Sequence, residues 1–199
     1  MEDIYIVILH GLLRSVNTYY NYSLNNIIED GIMIERDDLI RETIINAAKF
    51  MAISAITAPK ARGIDNIVVK ILDKREELIK LADKMEELAS LYGEFFLRDA
   101  DNVRNSDAVL LIGCKIVDIG VHKPGEMKYD PNLVLSVLNL GIAIGSAVKT
   151  ASILNIDNRI MYRAGLAAQL LGMLEADIVI GIPLSARGKN IYFDRKWPK

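Results

Sequence analysis

The stretch Asp177–Asn190 reads DIVIGIPLSARGKN, a β-branched apolar run that passes into a basic loop hinged on glycine. The run Asp177–Ile182 predicts a strand, because Ile and Val pack well on a pleated surface and turn residues bound the segment. The loop has an echo upstream, where Pro59–Asn66 reads PKARGIDN. From its proline on, each segment passes through Ala-Arg-Gly and ends in Asn. Glycine after Arg lets the chain turn with positive φ and expose consecutive N–H groups. Arg offers a planar fork that fits phosphate oxygens, and Ser185 adds a hydroxyl donor. Two such loops at the ends of core elements predict one anion-binding mouth for a phosphate-bearing ligand. Lys60, Arg62, Ser185, Arg187 and Lys189 are its candidate residues. Either loop taken alone reads more simply as a turn whose arginine caps carbonyls or forms a surface salt bridge.

Outward from these loops the pattern alternates. Ile40, Ile44, Ala47, Ala48, Met51 and Ala55 lie on one helical stripe opened by Asp37 or Asp38. Ala58-Pro59 ends it, since the residue before proline leaves the helical region. IVVKIL (67–72) reads as a strand and KREELIKLADKMEELASLY (74–92) as an amphipathic helix whose charges form a solvated face. A short helix within 95–107, a buried strand at 108–113, a polar loop at 115–131, a helix over 131–154, a turn at 155–158 and a helix over 160–174 follow. The sum is an α/β (α+β layered) domain, a central sheet flanked by helices. Residues 1–32 are the least legible, and the expected division is an N-terminal extension or arm at 1–32 and a single domain at 33–199.

Composition narrows the function classes. With a formal net charge of −2 the chain has no basic footprint for nucleic acid. At 51% apolar residues it holds more Ile, Leu and Ala than one core needs, which predicts a homo-oligomer. The single cysteine, Cys114, excludes an internal disulfide and a four-thiolate cluster, and it reads as a small core residue. His10 and His122 have no spaced partners, so no metal site is expected. No cleavable leader is read at the N-terminus. The apolar run Leu133–Val148 is shorter than the ~20 residues of a membrane span, so it reads as a buried core helix. A cytoplasmic protein without a membrane partner is the expectation. In LGIAIGSAVKTAS (140–152) the small residues predict close helix packing, and Lys149 is expected to reach solvent.

Four segments carry a resemblance: ISAITAPKARGIDNI (53–67), FFLRDADNVRNSDAVLLIG (95–113), LGIAIGSAVKTASILNIDNRIMYRAGLAAQLLG (140–172) and ADIVIGIPLSARGKNIYFDRK (176–196). They resemble a family of uncharacterised archaeal and bacterial proteins described as ferredoxin-domain-containing, over about Met33–Lys196. The cysteine-rich insert of that family is missing, since KIVDIGVHKPGEMKYDPN has no cysteine. No iron–sulfur cluster is therefore expected. More distantly, the order TAPKARG, IVVKIL, AVLLIG, LGIAIGSAV, GLAAQLLG and IGIPLSARGK resembles the FMN-dependent nitroreductases. Their arginine-rich N-terminal motif is absent, and GIDNI stands where they carry Asn-x-Gln-Pro-Trp. That resemblance implies a homodimer with FMN at its interface. Lys60 or Arg62 would then be the charge beside the ring, and Arg187 with Lys189 the phosphate clamp. It implies an FMN-binding oxidoreductase. A non-catalytic module for a small phosphorylated ligand, or a structural partner protein docking through 1–32, accommodates the same residues.

Overall fold

The computed structural model describes residues 34–193, so the arm expected at 1–32 lies outside the described residues. In chain order the elements are α1 (Arg36–Thr57), a 3₁₀ turn (Ala61–Gly63), β1 (Ile67–Leu72), α2 (Arg75–Tyr92), α3 (Phe95–Arg104), β2 (Ala108–Cys114), α4 (Pro131–Ile153), β3 (Asp157–Asn158), α5 (Tyr162–Leu170) and β4 (Ile178–Ser185). Residues from Ile40 onward form one compact unit.

β2 is apolar throughout because it is covered on both faces, and all seven of its residues are buried. Ala108, Leu110, Ile112 and Cys114 face α1 and α4, while Val109 and Leu111 face α2, α3 and α5. The result is three layers, helices on each side of one sheet, as the sequence pattern predicts. The sheet runs β1-β2-β4-β3 and every pairing is antiparallel. Two helices, α2 and α3, separate β1 from β2, so the chain goes out and back before it rejoins the sheet and the strands alternate in direction.

Two details differ from the sequence expectation. The turn at 155–158 contains the two-residue strand β3, too short for any periodic signal. β4 runs past Ile182 to Ser185 despite Pro183. Gly181 exchanges both backbone hydrogen bonds with Met161 on the outer edge, so two residues on, Pro183 presents its missing N–H to that same edge. The proline thus divides the edge into the Met161–Gly181 bridge and the β3 pairing.

Helix ends follow local chemistry. The Asp130 carboxylate accepts from the Asn132 amide at 2.7 Å, and Pro131 opens α4 where its missing N–H has no intrahelical partner to lose. On the other layer, α5 lies directly on β4. A Cβ added at Gly165 would fall against the Val179 carbonyl, and one at Gly181 would sit 2.7 Å from the Ala164 Cβ. The paired glycines let helix and strand backbones meet. α4 is buried on one face through Leu140, Ala143, Ile144, Ala147 and Ala151, while Val134, Val137, Leu138 and Ile142 stay exposed. Only one face of the helix is core, which corrects the expectation of a buried helix. By length and composition alone α4 would also qualify as a membrane span. Lys149 is exposed, as expected.

Candidate functional site

The antiparallel register decides where the two basic loops lie. Ile67, Cys114 and Ile178 stand level across the sheet, and Leu72, Val109 and Pro183 stand level near its other end. The first loop therefore enters at the start of β1, and the second leaves beyond the end of β4. They occupy opposite ends of the sheet, roughly 20 Å apart at strand rise. The single mouth expected from the sequence is corrected accordingly: within one chain Lys60 and Arg62 do not converge with Arg187 and Lys189.

The first loop is a braced turn. Arg62 and Gly63 both adopt positive φ, 52° and 71°. The Lys60 ammonium is nearly buried, donates to the carbonyls of Ile56 and of Ala58 (2.9 Å), and lies 3.6 Å from the Asp65 carboxylate. Arg62 Nη1 donates to the carbonyls of Ile119 (3.0 Å) and Gly120 (3.3 Å). A Cβ at Gly120, itself at φ 73°, would collide with that guanidinium. Beneath the turn, Asn139 of α4 accepts from the Ala61 amide at 2.8 Å and donates to Asn66 at 3.0 Å, and Asn66 donates to the Lys115 carbonyl at 2.8 Å. Each buried polar group in this chain of bonds has a partner, which keeps the turn in one conformation. The two cations are occupied in capping carbonyls.

The second end is different. Ser185 is the last residue of β4 rather than a loop residue, and it is fully buried. Arg187 donates to Asp107 at 2.7 Å, and Lys189 is exposed. Around this pair opens a cleft of about 290 Å³ whose lining includes Arg41, Asp73, Arg75, Arg104, Asp107 and Arg187. Two buried polar atoms, Asp107 Oδ2 and Ser185 Oγ, have no hydrogen-bond partner among the described residues. Burial pushes the Asp107 carboxyl above its ordinary range, although Arg187, Arg41 and Arg75 pull the other way. Tyr192 is buried nearby: its hydroxyl meets that of Ser106, which lines the cleft, at 2.9 Å, and burial raises its phenol. Asn190, which ends the second echo, donates to Asp157 at 2.9 Å.

Sequence reasoning nominated Arg187 here and missed Arg41, Arg75, Arg104 and Asp107. Arg75 belongs to the helix whose charges read as a solvated face. Nothing local marks it, because its neighbours in the cleft come from three distant segments. Tyr162 is exposed, while Arg163 donates to the buried Asp99 at 2.6 Å and lies over the Phe95 ring at 4.8 Å. That pair is helix packing at the start of α5. Cys114 is buried in β2, and burial, with the Asp177 charge, pushes its thiol up to about 11. A neutral, solvent-excluded thiol is a core group.

Similar proteins agree with this picture at two levels. The fold resembles that of solved structures, all at low sequence identity, so the likeness concerns fold alone. A BluB-like flavoprotein from Clostridium difficile is 16% identical, with 77% of this chain and 85% of that one covered and a TM-score of 0.53. For the hypothetical oxidoreductase YcnD of Bacillus subtilis the values are 14%, 77%, 61% and 0.51. For nitroreductase A of Vibrio parahaemolyticus they are 13%, 73%, 60% and 0.51. The chain thus spans about three fifths of the length of the last two. The fold is nitroreductase-like.

Sequence similarity reaches further. An uncharacterised protein of Archaeoglobus fulgidus is 45% identical over 181 residues, which cover 82% of this chain and 98% of that protein. Residues 129–195 match the family described as "Uncharacterized protein containing a ferredoxin domain (DUF2148)". The chain carries one cysteine, whereas a cluster held by four thiolates of a single chain needs four. With 45% identity across almost the whole of a relative, and its C-terminal third matching the family itself, the chain belongs to this ferredoxin-domain-described family.

Proposed function

We propose that the protein is an FMN-binding oxidoreductase that holds the cofactor's phosphate at the arginine-lined end of β4. The observation that carries this reading is the cleft around Arg187, where guanidiniums outnumber carboxylates and the buried Asp107 Oδ2 lacks a hydrogen-bond partner among the described residues. Guanidinium forks around one opening form a donor set suited to phosphate oxygens, so the residues present fit that part of the cofactor. The nitroreductase-like fold and the flavoprotein named among its structural neighbours support FMN as the phosphate's carrier.

On this reading Arg187, with Lys189, clamps the phosphate, while Ser185, buried at the end of β4, supports the strand end from which they project. Lys60 and Arg62, held by carbonyls at the other end of the sheet, are the fixed positive charge that a second copy brings toward the ring, through space rather than by contact. Bound flavin supplies the redox chemistry; the chain binds and orients it and keeps water away. The cofactor lies in a cytoplasmic homodimer. Its exposed apolar residues on α1 and α4, Phe50, Ile53, Leu138 and Ile142 among them, are the surface a second copy covers.

The test is the visible absorption spectrum of the purified chain before and after addition of FMN and desalting. A retained flavin band, with FMN affinity reduced in Arg187→Ala, is the expected result. No band, together with no quenching of FMN fluorescence on titration, would overturn the flavin reading.

A further inference from the structure

The four guanidiniums of the cleft are unequally neutralised. Arg104 is ion-paired with Glu86 at 2.7 Å, Asp83 at 2.9 Å and Asp101 at 3.4 Å. Arg187 has the single partner Asp107. Arg75 donates one Nη1–H to the Arg104 carbonyl, which satisfies a hydrogen bond but not its charge. Neither Arg75 nor Arg41 forms an ion pair among the described residues. Arg41 stands on α1, Arg75 at the start of α2 and Arg187 beyond β4, so the layers on both faces of the sheet and the strand end each send a cation to one opening. Like charges gathered around one opening repel one another, and an anion in their midst removes that repulsion.

We propose that this cleft binds a phosphoryl group through Arg41, Arg75 and Arg187, with Asp107 as the internal anion that the ligand displaces from Arg187. The inference deepens the reading of the same site as a phosphate clamp, and it adds two ligands and a competitor that the sequence does not mark. Three observations agree on the chemistry. The forks are planar and multiply donating, which suits tetrahedral oxyanions more than a single carboxylate. The volume, about 290 Å³, admits such a group with part of its carrier. Asp107 already holds one carboxylate oxygen unpartnered in the protein, so Arg187 has a single, incompletely satisfied anion to exchange for a phosphoryl group.

The shared chemistry is a phosphate monoester dianion, whose source is either the FMN phosphate or a separate phosphate ligand. Calorimetric titration at low ionic strength with sodium phosphate, FMN and riboflavin separates them. Phosphate is expected to bind, and Arg41→Ala to weaken it by roughly ten- to hundredfold, the loss of one charge-assisted hydrogen bond. Arg75→Ala should behave alike, while Asp107→Asn should tighten binding. Arg41 lies on an exposed helix face, so its variant is expected to fold, and a matching thermal melt checks this. If FMN competes with phosphate and riboflavin does not, the flavin phosphate is the occupant. If phosphate binds and depends on Arg41 but FMN does not compete, the cleft stands as a phosphoryl site and the flavin reading fails alone. Absence of phosphate binding, or folded Arg41→Ala and Arg75→Ala variants that bind as the wild type does, would overturn the inference.

Discussion

Replacing Gly165 by alanine tests whether α5 and β4 meet backbone to backbone. The new methyl would collide with the Val179 carbonyl and come within 2.7 Å of the Ile180 Cα. Carbon atoms prefer about 3.5–4.0 Å, and both obstacles are main chain, so no rotamer change relieves them. The helix has to withdraw by about 1 Å, which loosens the contacts of Ala164, Ala167 and Ala168, all fully buried. Overpacking of this kind costs about 1–3 kcal/mol, and with backbone on both sides the upper value applies. Alanine's better helix propensity returns about 1 kcal/mol. The net loss is about 2 kcal/mol, or roughly 4–8 °C in Tm for a chain of this size. Urea unfolding followed by far-ultraviolet circular dichroism measures it as a lower midpoint at unchanged slope. Gly141→Ala and Gly145→Ala serve as the contrast, because nothing lies within 4 Å of a Cβ at either site. In an isolated chain they should stabilise by about 0.5–1 kcal/mol. If a second copy covers α4, they should instead destabilise in a way that depends on protein concentration. A Gly165→Ala variant as stable as the wild type would refute the packing argument.

Two further outcomes follow from buried carboxyls. Asp99 is fully buried, and its carboxylate takes hydrogen bonds from Arg98 at 3.1 Å and Arg163 at 2.6 Å. Asp99→Ala should cost about 3 kcal/mol, the low end for breaking a buried pair because both arginines keep some solvent; a loss below about 1 kcal/mol in urea unfolding would count against it. Asp107 has its pKa raised in the folded chain, chiefly by burial. The folded state therefore favours the protonated carboxyl, and that stability is present below about pH 4 and is lost as pH rises through the folded value. Asp107→Asn stays neutral, so its stability relative to the wild type should improve between pH 4 and pH 7. The opposite trend would show that attraction to Arg187 outweighs burial.

The elements were legible where their signal is local. β2 announces itself by an unbroken apolar run that only a strand covered on both faces needs, and α4 by Asp130-Pro131 at its start and a long apolar stripe behind it. The Ala58-Pro59 stop and the positive-φ turn at Arg62-Gly63 were likewise written in residue type. β3 was not, because two residues carry no period. Nor was the end of β4, since Pro183 looks like a terminator until the idle edge it faces is known. The identity of Arg187 as a candidate came from its loop, but its surroundings did not.

What the sequence by itself determined is the layered architecture: hydrophobic period, caps and turn residues act within a few positions, so they dictate which segments become helix or strand and which faces are buried. What only the tertiary structure decided is direction and company. The antiparallel return of β1, β2 and β4 sent the two Ala-Arg-Gly loops to opposite ends of the sheet, where similar residues met different partners. The first found carbonyls and Asp65, and became a braced turn. The second found Arg41, Arg75 and Asp107, drawn from segments far apart in the chain. Charge at one position is a local property. An electrostatic site is the sum over whatever long-range packing places around it, and no spacing in the sequence encodes that sum.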